Sequence, residues 1–176
     1  MDVISHVYKQ YNVEESIVQN NGFFSLNLTK GSVKKIIDVL QLDDTKEEEF
    51  AWIGCGDARE LLCIATLYPK MKFTAMDINK DAINIAKQKA KLLKLNNVKI
   101  LYKNALHEQT KYTHVYSTAL AGDDLYKHLA CLSEKYLCML SRMWTNVEGN
   151  FVDERKAQVC ISGSGEKKTL IRKQFR

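Results

Sequence analysis

The sequence predicts an α/β fold: a doubly wound, mostly parallel sheet that ends in an antiparallel β-hairpin. Three observations carry this. Short apolar runs alternate with amphipathic helical stretches through the middle of the chain, as in β-α units that cover a parallel sheet with helices. Residues 157–175 are two β-rich runs around Gly163-Ser164-Gly165, a hairpin signal. The connections are short and hold one proline, Pro69, with no repeat or low-complexity tract to mark a linker.

Residues 1–29 read as an N-terminal extension or cap ahead of a single domain at 30–176, with a polar bend at Gln19-Asn20-Asn21-Gly22 and aromatics at Phe23-Phe24. In 30–42, Val33, Ile36, Ile37 and Leu40 recur at helical spacing, with Ser32 a candidate cap. An acidic loop, Asp43 to Glu49, precedes Phe50 to Ile53, a buried-strand candidate that stops at glycine. Residues 58–67 read as a helix, and Lys72 to Met76 as a second strand ending at Asp77. In 80–95, Ile83, Ala86, Ala90 and Leu93 form one apolar stripe, with Lys87, Lys91 and Lys94 displaced from it and Asn79 at the N-cap. Val98 to Tyr102 and Thr113 to Leu120 are the third and fourth strand candidates. Residues 123–136 look helical, and a fifth strand falls within Leu137 to Trp144.

With 176 residues the chain can bury one substantial core without staples. Its 45% hydrophobic and 27% charged residues are ordinary for a soluble globular protein. No apolar run approaches the roughly 20 residues that span a bilayer, and MDVISHVYKQ lacks the pattern of a secretory signal. The five cysteines show neither a CxxC pair nor Cys/His ligand spacing. They read as reduced thiols of an intracellular protein, cytoplasmic or nuclear rather than secreted, with no metal site and no membrane partner. The net charge of +5 is uneven: residues 155–176 hold seven Lys/Arg against one acid. Such an end reads either as a contact for nucleic acid or an acidic partner, or as a solvated strand pair whose outward face carries lysines.

Three polar positions recur at the ends of successive strand candidates. Gly54-Cys55-Gly56 follows the first, where glycine permits a sharp strand-to-helix turn and lets a ligand lie against bare backbone. Asp77 ends the second, 23 residues after Gly54, a spacing that suits an acceptor for ribose hydroxyls. Asn104-Ala105 follows the third, where a side-chain amide could meet an adenine edge. Ligands of open α/β sheets bind outside the carboxyl ends of the strands, and all three positions fall there. A dinucleotide turn reads GxGxxG, but here Arg59 stands at the third position and crowds a pyrophosphate. The site therefore favours a cofactor without pyrophosphate.

With these motifs the sequence resembles the class I, Rossmann-like S-adenosylmethionine-dependent methyltransferases over about residues 30–176. The carriers are WIGCGDA, AMDIN, KNALHE, HVYSTALAG and the closing hairpin. The resemblance implies S-adenosylmethionine as cofactor. It places Gly54 and Gly56 under the methionine part, Asp77 on the ribose, Ile78 against adenine, and Asn104-Ala105 at the base edge, with Cys55 and Asp57 also among the cofactor-binding residues. It also marks departures. The family commonly has an acid where Trp52 stands, a third glycine where Ala58 stands, and an aspartate at Asn104. Asp57 is close enough in sequence to act for the missing acid, while Trp52 reads as a core aromatic of the first strand.

The acceptor is less legible. The fourth-strand segment lacks the signature of base or glutamine N-methylation, and there is no Lys-Asp-Lys-Glu set for ribose-hydroxyl methylation. Transfer to a neutral amine needs in-line positioning and an acceptor for the leaving proton. Ser117, Thr118 and Asp123 are the candidate catalytic residues, with Asp124 nearby, and Tyr116, Phe23 and Phe24 are candidate walls of an acceptor channel. Val115 through Gly122 with the helix after it is faintly similar to the non-SET histone-lysine methyltransferases. The expectation is methyl transfer to an amine nitrogen, foremost of a protein. The alternatives are an RNA methyltransferase whose basic 155–176 region tracks phosphates, and an inactive binding or scaffold subunit. A partner subunit that supplies specificity fits any of these.

Overall fold

The computed structural model describes residues 2–11, 28–119, 121–145, 147–161 and 165–176. The bend at residues 19–22, Phe23-Phe24, and Gly163-Ser164 of the hairpin turn lie outside the described residues. Seven strands form one sheet: β1 (Glu49–Ile53), β2 (Lys72–Asp77), β3 (Val98–Tyr102), β4 (Tyr112–Ser117), β5 (Ser133–Leu140), β6 (Phe151–Cys160) and β7 (Lys167–Phe175). Their order is β3-β2-β1-β4-β5-β7-β6. The first five are parallel, and β7 runs antiparallel to both β5 and β6. This is the expected doubly wound sheet with a closing antiparallel pair.

The helices are α1 (Val3–Tyr8), α2 (Lys30–Leu40), α3 (Arg59–Leu67), α4 (Lys80–Leu92) and α5 (Asp123–Leu132). From β1 the chain steps outward through β2 to β3, then returns to β4 and steps to β5 the other way. Right-handed crossovers then put α3 and α4 on one face and α5 on the other. α1 and α2 pack against α3, and α2 also covers β6 and β7. Each sheet face is thereby closed, which explains why β1 is a continuous apolar run rather than an alternating one. On the α3 side, Phe50 and Trp52 meet His114 and Tyr116 in register as an aromatic layer. Among the described residues no helix is long and apolar enough to cross a membrane.

Several boundaries move for identifiable reasons. The helix expected over 123–136 ends at Leu132, and β5 starts at Ser133 rather than Leu137. The Ser133 hydroxyl donates to the Leu129 carbonyl, closing the helix, and Tyr136 already pairs with His114 and Gln174. Sheet partners on both sides override helix propensity there. Met143 and Trp144 lie in a 3-10 turn, Ser141–Trp144, and not in the strand. The helix expected over 80–95 stops at Leu92, and Lys94 turns left-handed at φ 54°. Asn79 caps α4 as expected, its side-chain oxygen accepting from the Asp81 and Ala82 N–H groups. Ser32 is not the cap of α2, whose N-cap is Thr29. Its hydroxyl instead donates to the Cys160 carbonyl and accepts from the Cys160 N–H, pinning α2 to the end of β6. Residues 2–11 belong to the core as much as to an extension: Ile4, Val7 and Tyr11 are buried in it.

Candidate cofactor site

The carboxyl ends of β1 to β4 converge. At β1 the chain turns through Gly54 (φ 70°), Gly56 (φ 56°) and Ala58 (φ 58°), all left-handed. Gly54 needs its missing side chain twice over, since a Cβ there would fall 2.4 Å from the Ala119 Cβ of the loop after β4. The turn hangs on β2: the Gly54 and Cys55 N–H groups donate to the Met76 carbonyl at 2.8 and 3.1 Å, and the Gly56 N–H to Asp77 Oδ2 at 2.7 Å. Asp77 Oδ1 accepts the Asn79 N–H at 2.8 Å. One carboxylate thus ties the glycine turn to the start of α4.

These bonds bear on what the turn can hold. A phosphate site needs N–H groups aimed at the ligand, and those of Gly54, Cys55 and Gly56 are all engaged within the protein. The geometry therefore agrees with a cofactor that lacks pyrophosphate. The adenosine half has suitable residues. Each Asp77 oxygen holds one N–H and retains acceptor capacity for a hydroxyl. Ile78 is 45% exposed, an apolar surface left uncovered beside that carboxylate. Asn104 Oδ1 accepts the Leu106 N–H at 3.0 Å, which leaves its NH2 as a donor for a ring nitrogen. Ala105 beneath it is buried, and Leu106, which the sequence reading missed, is exposed alongside. Cys55 is buried, its thiol included in the core.

The methionine half is different. Asp57 is 0% exposed, and its carboxylate accepts from the Arg59 N–H at 3.3 Å and from Arg59 Nε at 3.0 Å. The guanidinium Nη2 closes the pair, and Arg59 lies over the Tyr11 ring, whose hydroxyl donates to the Asp57 carbonyl at 3.0 Å. The side chain that could have acted for the missing acid is thus turned inward and paired. Trp52 is 2% exposed, 4.0 Å from the Tyr116 ring, a core aromatic as the sequence suggested.

Two features of this turn bear on stability. Ala58 takes a left-handed conformation that costs an L-residue roughly 1–2 kcal/mol. Ala58→Gly is expected to raise unfolding stability by about 1 kcal/mol despite the added chain entropy, read as a higher urea midpoint; an unchanged or lower midpoint refutes this. Glu60 is buried, and its Oε1 accepts the Leu28 N–H at 2.5 Å. Burial, with the Asp57 charge adding to it, pushes the Glu60 carboxyl from 4.5 up to about 7. The folded state then keeps a proton that the unfolded chain has released between those values. The contribution of Glu60 is full below pH 4.5 and is lost as pH rises through 7, by on the order of 3 kcal/mol. Glu60→Gln should flatten that slope. Urea midpoints of both proteins at pH 5 and pH 8 check it, and parallel pH trends would contradict it.

At the end of β4, Ser117 is fully buried; its hydroxyl donates to the Ile53 carbonyl at 2.9 Å and accepts from the Ala119 N–H. Thr118 is also buried. Ser117 therefore shapes the loop that meets Gly54. Asp123 is exposed in the first turn of α5, whose N-cap is Gly122. The loop before it is held by the Ala121 N–H donating to the Tyr126 hydroxyl. All five cysteines are free thiols, and among the described residues no group of acids, cysteines and histidines could hold a metal ion.

A seven-stranded sheet of this order, with a glycine turn after β1 and an acid after β2, is the fold of the class I S-adenosylmethionine-dependent methyltransferases. Residues 45–146, more than half of the chain, match the family described as "Methyltransferase domain", and the chain belongs to it. Among solved structures it is similar to magnesium protoporphyrin IX methyltransferase from Synechocystis PCC 6803 with bound SAM: TM-score 0.69, 15% identity, covering 100% of this chain and 98% of that one. It is also similar to TrmK of M. capricolum in complex with S-adenosylhomocysteine: TM-score 0.65, 16% identity, covering 85% of this chain and 70% of that one. TrmN from Thermus thermophilus gives a TM-score of 0.68 at 13% identity over 82% of this chain, which spans only 48% of that protein's length. These likenesses are of fold. No curated protein sequence matches the chain.

Proposed function

We propose that this protein binds S-adenosylmethionine at the glycine turn and transfers its methyl group to an amine nitrogen of a macromolecule. The observation that carries the reading is the Asp77 carboxylate, bonded to the Gly56 and Asn79 N–H groups and flanked by exposed Ile78. Asp77 would accept from the ribose hydroxyls, Ile78 would cover one adenine face, and Asn104 would donate to the base edge. When bound, the cofactor supplies a methyl group on a positively charged sulfur. A neutral amine needs no strong base to attack it, only alignment and an acceptor for the released proton. Asp123 is the candidate acceptor, with the Ser117-Thr118 loop setting the position of α5 relative to the turn.

Calorimetry with S-adenosylhomocysteine, followed by tritiated-methyl transfer to fractionated protein, RNA and metabolite pools, tests this. Binding without transfer to any pool would favour a second reading, a methyltransferase fold kept as a binding or scaffold subunit. That reading has its own support: Trp52 replaces an acid, and the carboxylate of Asp57 is held by Arg59. No binding at all would remove the cofactor reading. Transfer that appears only after a companion protein is added would point to a specificity-giving partner subunit.

A further inference from the structure

The two basic stretches of the chain differ in what faces them. In the C-terminal pair, Lys156 and Lys173 meet Glu154, Arg155 and Arg172 meet Asp153, and Lys168 meets Glu166. Asp153 and Glu154 lie just outside the 155–176 window, and with Glu166 they face five of its seven basic residues. Residues 72–103 hold eight lysines against two acids, Asp77 and Asp81. Lys80, Lys87 and Lys91 on α4, Lys94 just beyond it and Lys99 on the edge strand β3 are all exposed. None of the five has an ion-pair partner among the described residues.

The lysines of α4 are also aligned. At about 3.6 residues per turn, Lys80, Lys87 and Lys91 fall on one stripe with Asn84, about a third of the way round the helix from the buried Ala82, Ile83, Ala86 and Ala90. At about 1.5 Å per residue that stripe is about 16 Å long. It begins beside the site, since Asn79 caps α4 and Asp77 lies two residues earlier. Unneutralised cations in a row suit a phosphate backbone, where affinity comes from counterion release. Protein interfaces, in contrast, deplete lysine and centre on aromatic anchors.

We infer that the α4 face docks the sugar-phosphate backbone of RNA and presents it to the site. Naming RNA as the docked acceptor rests on the methyltransferase reading; the docking itself does not. Fluorescence anisotropy with a labelled 30-nucleotide single-stranded RNA, across a KCl series, tests it. One variant combines Lys80→Gln, Lys87→Gln, Lys91→Gln and Lys94→Gln. Its control combines Lys156→Gln, Lys167→Gln, Lys168→Gln and Lys173→Gln, an equal loss of charge at the C-terminal strand pair, where three of the four lysines meet acids. The α4 variant should lose at least about tenfold in affinity, and its slope of log K against log salt should shrink by roughly 3, at about 0.7 per phosphate contact. The control should change less than about threefold. Equal losses in both variants would overturn the proposal, as would tighter binding of labelled polyglutamate than of RNA, which marks an acidic-protein surface. Should the fourfold variant fail to fold, Lys87→Gln with Lys91→Gln should remove about half of the slope change, and no change in that pair is equally fatal. Calorimetry with S-adenosylhomocysteine on each variant reports the cofactor site separately. RNA docking without cofactor binding would remove the function proposed above and leave the docking face standing.

Discussion

Asp77→Ala is expected to raise the Kd for S-adenosylhomocysteine at least about 100-fold, the largest functional effect of any single substitution in the site. Two charge-assisted hydrogen bonds to ribose hydroxyls, at about 1.5–3 kcal/mol each, correspond to that factor or more. The same change leaves the Gly56 and Asn79 N–H groups without their acceptor, at about 1–3 kcal/mol for each group that water does not reach. A lower urea midpoint should accompany the lost affinity. Asp77→Asn separates the two effects: its one amide oxygen can keep a single N–H but cannot serve both the turn and a ribose. It should bind weakly while unfolding closer to wild type. Wild-type affinity in Asp77→Ala would refute the placement of the ribose, whatever happened to stability.

This site was legible in the sequence to the extent that it follows from strand ends. A glycine pair after one apolar run, an acid after the next and an amide after a third are each weak alone. In a parallel sheet every strand's carboxyl end lies at one edge, so three such positions converge wherever the strands alternate with helices. The closing hairpin was legible on separate grounds, from two β-rich runs on either side of a glycine-rich turn. Contacts between loops far apart in sequence were not legible. That Ala119 packs on Gly54 depends on how the chain leaves β4. That Glu60 is buried against Leu28 depends on where α1 and α2 settle. A polar residue near the start of an otherwise apolar helix gives no sign of either.

Charge was misleading for a related reason. Counting along the chain weights 155–176, but β6 and β7 are paired antiparallel and bring Asp153 and Glu154 beside the lysines and arginines of β7. In the α4 segment neither neighbouring strand supplies acids to its lysines. Periodicity in 80–95 showed where those lysines point; only the fold showed that no acid of the described residues pairs with Lys80, Lys87, Lys91 or Lys94.

Trp52→Asp would restore the acid that the family commonly carries before the first glycine, and it is expected to lose the fold rather than gain affinity. Trp52 stands in register with Ala75 and Tyr116 in the aromatic layer under α3. Removing an indole packed 4.0 Å from Tyr116 and 6.3 Å from Phe50 costs about 3–5 kcal/mol through lost burial and the cavity left behind. A carboxylate placed in this buried layer either ionises at a cost of several kcal/mol or stays protonated. The sum reaches the total stability of an ordinary domain, about 5–15 kcal/mol. Trp52→Phe keeps the layer and should cost only about 1–3 kcal/mol while leaving S-adenosylhomocysteine affinity within about threefold. Circular dichroism and urea titration of both variants decide the matter. A folded Trp52→Asp protein with tightened cofactor binding would show that the turn was built to take an acid after all. An unfolded one, beside a competent Trp52→Phe, would show that the first motif changed together with the layer beneath it, so that the acid's position belongs to the core of this chain.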